Sequence, residues 1–292
     1  MALIPPGFLD CVCALGINNG EQFFTTATGF LVGRFAEKKG EQMFYRVYLA
    51  TNRHVFHGQK TLWARFNPPV GNPGRIYDMK LVDDFGNPLW TSHPNPEVDV
   101  AVIPINVTLL EEHGIQYKYF QLDQNVMTRA TAEKEGLSEG DGIFVLGFPM
   151  GISGQSRNYV VVRQGVLARV RDWIQVGEGT LLIDSMVLPG NSGGPVLTRP
   201  EINKITGTQA ISRSALIGIV SGYIPYTDEA VSKQTGKTRV AFEENSGLAV
   251  VVTSDKILET VEIAFKKQLV ELEKESKTRE AEIRPALLKP KT

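Results

Sequence analysis

The chain has 292 residues, 42% hydrophobic and 22% charged, a globular make-up with length for one large domain or two modest ones. Its 31 lysines and arginines stand against 32 aspartates and glutamates. That balance leaves no electrostatic footprint for a phosphate backbone or an anionic lipid surface, so neither nucleic acid nor membrane is an expected partner.

The first residues, "MALIPPGFLDC", carry no basic leader and no small-residue cleavage site, and no apolar run approaches the roughly 20 residues of a membrane span. A cytoplasmic protein is expected. Cys11 and Cys13 are the only cysteines. A bridge between positions so close would be strained and no flanking ligands complete a zinc site, so both are expected to be reduced, with no metal or organic cofactor.

Short β-branched or aromatic segments then follow one another: "CVCALGI", "FFTTATGFLVGRF", "MFYRVYLATN", "TLWARFN" and "VDVAVIPI", and later "GIFVLGF", "NYVVVRQGVLARV", "TLLIDSMVL", "SALIGIVSGYI" and "GLAVVVT". Broken by Gly, Pro and Asn, they predict antiparallel strands closed into barrels. "EKKGEQ" and "NPPVGNPGRIYDMK" read as exposed loops. Residues 106–141 are charged and turn-rich and mark a junction between two β units.

From Thr253 or Ser254 a helix is expected, with Asp255 in its first turn. Ile257, Leu258, Val261, Phe265, Leu269 and Leu272 form its apolar stripe. Pairs such as Glu273 with Lys277 and Glu275 with Arg279 carry it on until Pro285 ends it. Its first half should pack on the body, while its solvated second half offers an arm for a regulatory protein partner.

In "PGNSGGPVL", Ser192 sits among glycines. A serine hydroxyl needs a base to take its proton, and the oxyanion formed on an attacked carbonyl needs fixed donors. The amides of Gly190 and Ser192 can converge on one point because glycine permits the sharp turn. The same residues would also suit a tight hairpin between "LLIDSMVL" and "GGPVL". Two other segments favour chemistry. "YLATNRHVF" sets His54 just after a strand, as base, and "EVDVAVIPI" sets Asp99 at the start of another, to fix the tautomer of the imidazole. His57, His93 and His113 read as loop or surface residues, and the "NVT" at Asn106 as a chance glycosylation match.

The order His, Asp, Ser, together with "TGFLV", "TNRHV", "VDVAVI", "EGDGIFVLGFPMG" and "GNSGGPVL", resembles the trypsin-like serine peptidases, in particular their bacterial high-temperature-requirement branch. The resemblance covers roughly residues 10–253. It implies an all-β, chymotrypsin-like fold of two six-stranded antiparallel β-barrels with a C-terminal α-helix. Barrel one would span about 10–120, the junction about 121–140, barrel two about 141–253, and the helix and charged tail 254–292. The cleft between the barrels would hold His54, Asp99 and Ser192, with the oxyanion hole at the amides of Gly190 and Ser192. It further implies a substrate pocket lined by Met186, Ser221, Gly222 and Tyr223, with Gly247 and Leu248 on a further wall. With no acid at 186, an apolar residue is expected before the scissile bond. The activation site of the digestive zymogens is missing, and the residues from 254 onward are too few for a PDZ module. The expected function is a serine endopeptidase acting on protein or peptide substrates. The competing expectation is a partner-gated latent protease or a non-catalytic peptide-binding scaffold.

Overall fold

The computed structural model describes residues 2–201, 206–207 and 209–287. After a single turn, α1 (Pro6–Leu9), the strands β1 (Val12–Asn18), β2 (Phe23–Lys39) and β3 (Gln42–Thr51) form an antiparallel meander. The one-turn α2 (Arg53–Phe56) leads to β4 (Thr61–Phe66), β5 (Arg75–Lys80), β6 (Thr91–Ser92) and β7 (Ala101–Pro104). Beyond α3 (Val107–Glu112), β8 (Phe120–Gln121) adds parallel to β2. α4 (Arg129–Glu135) is capped by the Thr128 side chain, which accepts from the Thr131 amide, and stops at Gly136 in the left-handed region (φ 72°).

The second unit is a closed barrel. Its strands are β9 (Gly142–Gly147), β10 (Val161–Arg169), β11 (Thr180–Asp184), β12 (Pro195–Thr198), β13 (Leu216–Val231) and β14 (Thr238–Thr253), with α5 (Arg171–Val176) between β10 and β11. They close in the order β10-β11-β14-β13-β12-β9.

The chain is therefore mostly β, with one closed six-stranded barrel, but the expected pair of closed barrels is corrected. The first unit is an open eight-stranded sheet in the order β5-β4-β1-β2-β3-β7-β6, with β8 beside β2. The stretch from Asp83 to Glu97 that would close it carries Pro88, Pro94 and Pro96, which lack the amide a ladder needs, so β6 is only two residues long. β5 is a second correction: it was expected as loop, but "RIYDMK" pairs with β4 along its whole length.

Three cores result. Leu15, Leu31, Leu49, Phe56, Leu62 and Ile103 fill the concave side of the open sheet. Ile143, Val145, Trp173, Ile183, Val196 and Val251 fill the barrel. Phe30, Tyr48, Phe120, Phe144, Phe148 and Ile219 join the two units. Cys11 and Cys13 are free and buried in different cores, and burial pushes both thiols well up.

α6 (Ser254–Leu287) straps the two units together. The Ser254 hydroxyl donates to the Met127 carbonyl (2.6 Å) rather than capping the helix. Asp255 accepts from the Arg129 amide (3.1 Å) and the Trp173 indole (2.9 Å), holding the helix to α4 and α5. Ile257, Val261 and Ala264 enter the joining core, each branched side chain contributing about 2 kcal/mol by burial. On the sheet side Glu259 meets His93 (2.8 Å), Glu262 meets Arg34 (2.8 Å), and Gln268 accepts from the Tyr48 hydroxyl (2.5 Å). His93, in the loop just past β6, is thus a buried anchor and not a surface residue. Leu269 and Leu272 leave the expected stripe and stand 43% and 46% exposed, because the helix has by then outrun the sheet. Nor does Pro285 end the helix, which is described through Leu287. The side chains of Lys277, Glu275 and Arg279, and residues 288–292, lie outside the described residues.

The strap predicts a pH dependence. Burial pushes the Glu259 carboxyl up, but hydrogen bonds from His93 and Lys256 outweigh it and hold the group below its ordinary 4.5. A carboxyl depressed in the folded state contributes stability that is full above the unfolded value and is lost as pH falls through the folded one. Glu259→Gln should therefore lower the melting temperature near neutral pH, by an effect worth about 1 kcal/mol or less at this half-exposed site. The gap should close as pH drops from about 4.5 downward. Thermal melts of both proteins across that range check it, and a gap constant to the lowest pH would remove the ion pair as its cause.

Candidate active site

Each side chain of the site comes from the end of a regular element. β3 ends at Thr51, and Asn52 leads into the one turn of α2 that carries His54. Asp99 lies in the tight turn just ahead of β7, where the amide of Val98 bonds the Asn95 carbonyl (3.1 Å). Asn52 joins the two segments by donating its amide to the Asp99 carbonyl (2.8 Å).

The imidazole and the carboxylate meet directly. His54 Nδ1 lies 2.7 Å from Asp99 Oδ2, and the His54 backbone amide donates to Asp99 Oδ1 (3.0 Å). With Nδ1–H committed to the carboxylate, Nε2 is left as the proton acceptor. A third donor, the Ser221 hydroxyl, also reaches Asp99 Oδ2 (2.9 Å). Burial pushes the Asp99 carboxyl up, but the His54 and Ser221 hydrogen bonds outweigh it and hold it below the ordinary 3.8, so it stays ionised.

The segment that carries Ser192 belongs to the barrel unit. The strands on either side of it do not form a hairpin with each other: β11 pairs β10 and β14, whereas β12 pairs β9 and β13. The segment between them crosses the barrel instead. It is pinned by its carbonyls: Pro189 accepts from the Met150 amide (2.6 Å), Gly190 from the Thr28 hydroxyl (2.7 Å) and Ser192 from the Thr28 amide (2.9 Å). Thr51, three residues before His54, donates its hydroxyl to the Thr28 carbonyl (2.8 Å), so one residue of β2 holds both sides of the site. On the other flank the Gly193 amide bonds the Val220 carbonyl (3.0 Å), next to Ser221. Ser192 Oγ and His54 share no hydrogen bond; the backbone links bring their segments together.

The amides alternate along this segment. Asn191 donates to the Leu188 carbonyl (2.9 Å) and Gly193 to Val220, but the amides of Gly190 and Ser192 donate to no protein group among the described residues. Unpaired amides of this kind are uncommon, and two of them two residues apart, one on a buried glycine, make a ready pair of donors for an anion. Glycine is required here. At Gly190 (φ 97°) a β-carbon would lie 2.3 Å from the Phe148 carbonyl, and at Gly193 (φ 83°) 2.1 Å from that of Thr28. Met150, which supports Pro189, is the only described non-glycine residue with positive φ (54°), a strain retained where the loop is braced.

The expected pocket residues divide. Met186 and Tyr223 are 44% and 36% exposed, and a β-carbon at Gly222 or Gly247 would meet nothing within 4 Å, so this flank is open. Between them Ser221 gives its hydroxyl to the Asp99 carboxylate. Sequence reasoning missed Asn52 and Thr28, though Thr28 stands inside the quoted "TGFLV".

Among the described residues no cluster of His, Cys, Asp and Glu has a metal-holding arrangement, and no helix is long and apolar enough to cross a membrane. A family model described as a trypsin-like peptidase domain matches residues 27–202, well over half of the chain and inclusive of His54, Asp99 and Ser192.

Proposed function

Because the chain belongs to the trypsin-like peptidase family, we propose that it is a serine endopeptidase working through an acyl-enzyme on Ser192. Ser192 Oγ attacks the scissile carbonyl carbon and passes its proton to His54 Nε2. Asp99 keeps the proton on Nδ1 and stabilises the imidazolium. The oxyanion takes the two donors that the protein itself leaves unused, the amides of Gly190 and Ser192. Collapse of the tetrahedral species breaks the C–N bond, and the amine leaves with the proton from His54. Water then repeats the sequence on the ester and frees Ser192.

The single observation that carries this reading is the pair of free amides flanking Asn191 in a loop whose carbonyls from Val187 to Ser192 are all held. A loop so pinned supports an active form over one that waits for a partner. Substrate preference follows from Met186 and Tyr223, whose apolar surfaces suit an apolar residue before the scissile bond and give a lysine or arginine no counter-charge. Buried, unpaired Cys11 and Cys13 suit a reducing compartment.

The purified chain should be labelled at Ser192 by a fluorophosphonate and should cleave unfolded casein without any added protein. Labelling that needs a second protein would support the latent form, and neither labelling nor cleavage under any condition would leave a binding scaffold.

A further inference from the structure

Beyond the barrel, β13 and β14 continue as a two-stranded ribbon. β12 pairs β13 only as far as Ile219, and β11 pairs β14 only between Leu248 and Val252. Further out, both outer edges lack a partner strand among the described residues. Every residue from Pro225 to Glu244 except Ser232 is exposed, Tyr226, Val240 and Phe242 included. A lone two-stranded ribbon is marginal in water, and its unpaired amides and carbonyls are a template for another strand.

The residue order along β14 says which strand. When two copies of a strand pair antiparallel about a two-fold axis, one residue faces its own copy and its neighbours face each other in reverse order. With Ala241 on the axis, Val240 faces Phe242 of the second copy and Arg239 faces Glu243 of the second copy, and symmetry makes each pairing twice. Aromatic with β-branched and acid with base are the cross-strand pairs that stabilise a sheet. Neighbouring registers lose this match. An axis at Val240 sets Thr238 against Phe242, and an axis at Phe242 sets Val240 against Glu244. The edge of β13 is worse. An axis at Asp228 sets two carboxylates face to face, and Pro225 has no amide to give. β14 also bulges at Arg239, which pairs with no residue of β13, so the new ladder is short and the association is expected to depend on concentration.

We infer that two copies of this chain associate by pairing the free edges of β14 antiparallel about Ala241, forming a four-stranded sheet from two ribbons. The ribbon grows directly from the strand that carries Ser221, so each copy steadies an element of the other's cleft. The inference concerns association alone and stands or falls independently of the peptidase reading.

The full-length chain tests it in two ways. Ala241→Cys should give a covalent dimer on mild oxidation, because the register brings each copy of position 241 opposite the other, whereas Thr227→Cys on β13 should not. Cys11 and Cys13 are buried and do not compete. In sedimentation equilibrium, Arg239→Glu and Glu243→Arg should each weaken the dimer about tenfold, since each sets like charges across the axis twice. Mixing the two variants restores both opposite-charge pairs and should return the affinity to that of the unmodified chain. A chain that stays monomeric at every concentration, equal cross-linking at 241 and 227, or a mixture no tighter than its components would overturn the inference.

Discussion

Ser192→Ala should reduce turnover on an unfolded protein substrate about 10⁶-fold while leaving stability almost unchanged. The two halves of that expectation come from different atoms of one residue. On the proposed reading the hydroxyl is the nucleophile, and the other hydroxyls of the site are committed elsewhere: those of Thr28 and Thr51 donate to backbone carbonyls and that of Ser221 to Asp99. The residual rate would come from the amides at 190 and 192 and from substrate binding. The fold relies instead on the Ser192 carbonyl, which alanine retains for the Thr28 amide. An unfolding free energy changed by no more than about 0.5 kcal/mol would show that the hydroxyl was lost and nothing else. Substantial remaining activity with the same cleavage pattern would remove Ser192 from the mechanism.

Asp99→Asn should cost about 10⁴ in kcat with the overall geometry preserved. Asp99 Oδ2 accepts from both His54 Nδ1 and Ser221, and Oδ1 accepts from the His54 amide. An asparagine has only one oxygen to share among three donors. If its amide nitrogen takes the Oδ2 position, Nδ1 must become the acceptor, and the ring proton moves to Nε2, where it blocks the base. If the nitrogen takes the Oδ1 position, two donors confront each other at the His54 backbone. Either outcome spares the nucleophile, so the variant should still be labelled by a fluorophosphonate, only far more slowly. Unchanged kcat would mean that Asp99 serves structure alone.

Much of this site could be read in the sequence because chain order and strand context constrain it strongly. His54 follows an apolar strand, Asp99 precedes one, and Ser192 lies between two glycine-permitted turns. The hydrogen bond from Ser221 to Asp99 could not be read there. In the register of β13 with β14, Val220 faces Val251 and Gly222 faces Val250, which leaves Ser221 as the extra residue of a bulge. A bulge re-aims one side chain, and no periodicity in "IVSGY" announces it. The same limit hid β5, whose alternation is buried behind a run of prolines and glycines, and the outer ribbon, whose exposed residues carry no hydrophobic period at all. Strands with a buried face were legible; strands held mainly by backbone pairing were not. Closure failed for a related reason, since the missing amides of three prolines matter only once a neighbouring strand is in place to need them.

The strap formed by α6 also sets an order of events during synthesis. Its contacts join residues 166 (His93 to Glu259), 220 (Tyr48 to Gln268) and 228 (Arg34 to Glu262) positions apart. A growing chain on the ribosome can form the open sheet and most of the barrel early, but the part of the seam that α6 supplies waits for that helix to emerge. The strap is thus fastened only after every segment of the candidate site has already been made.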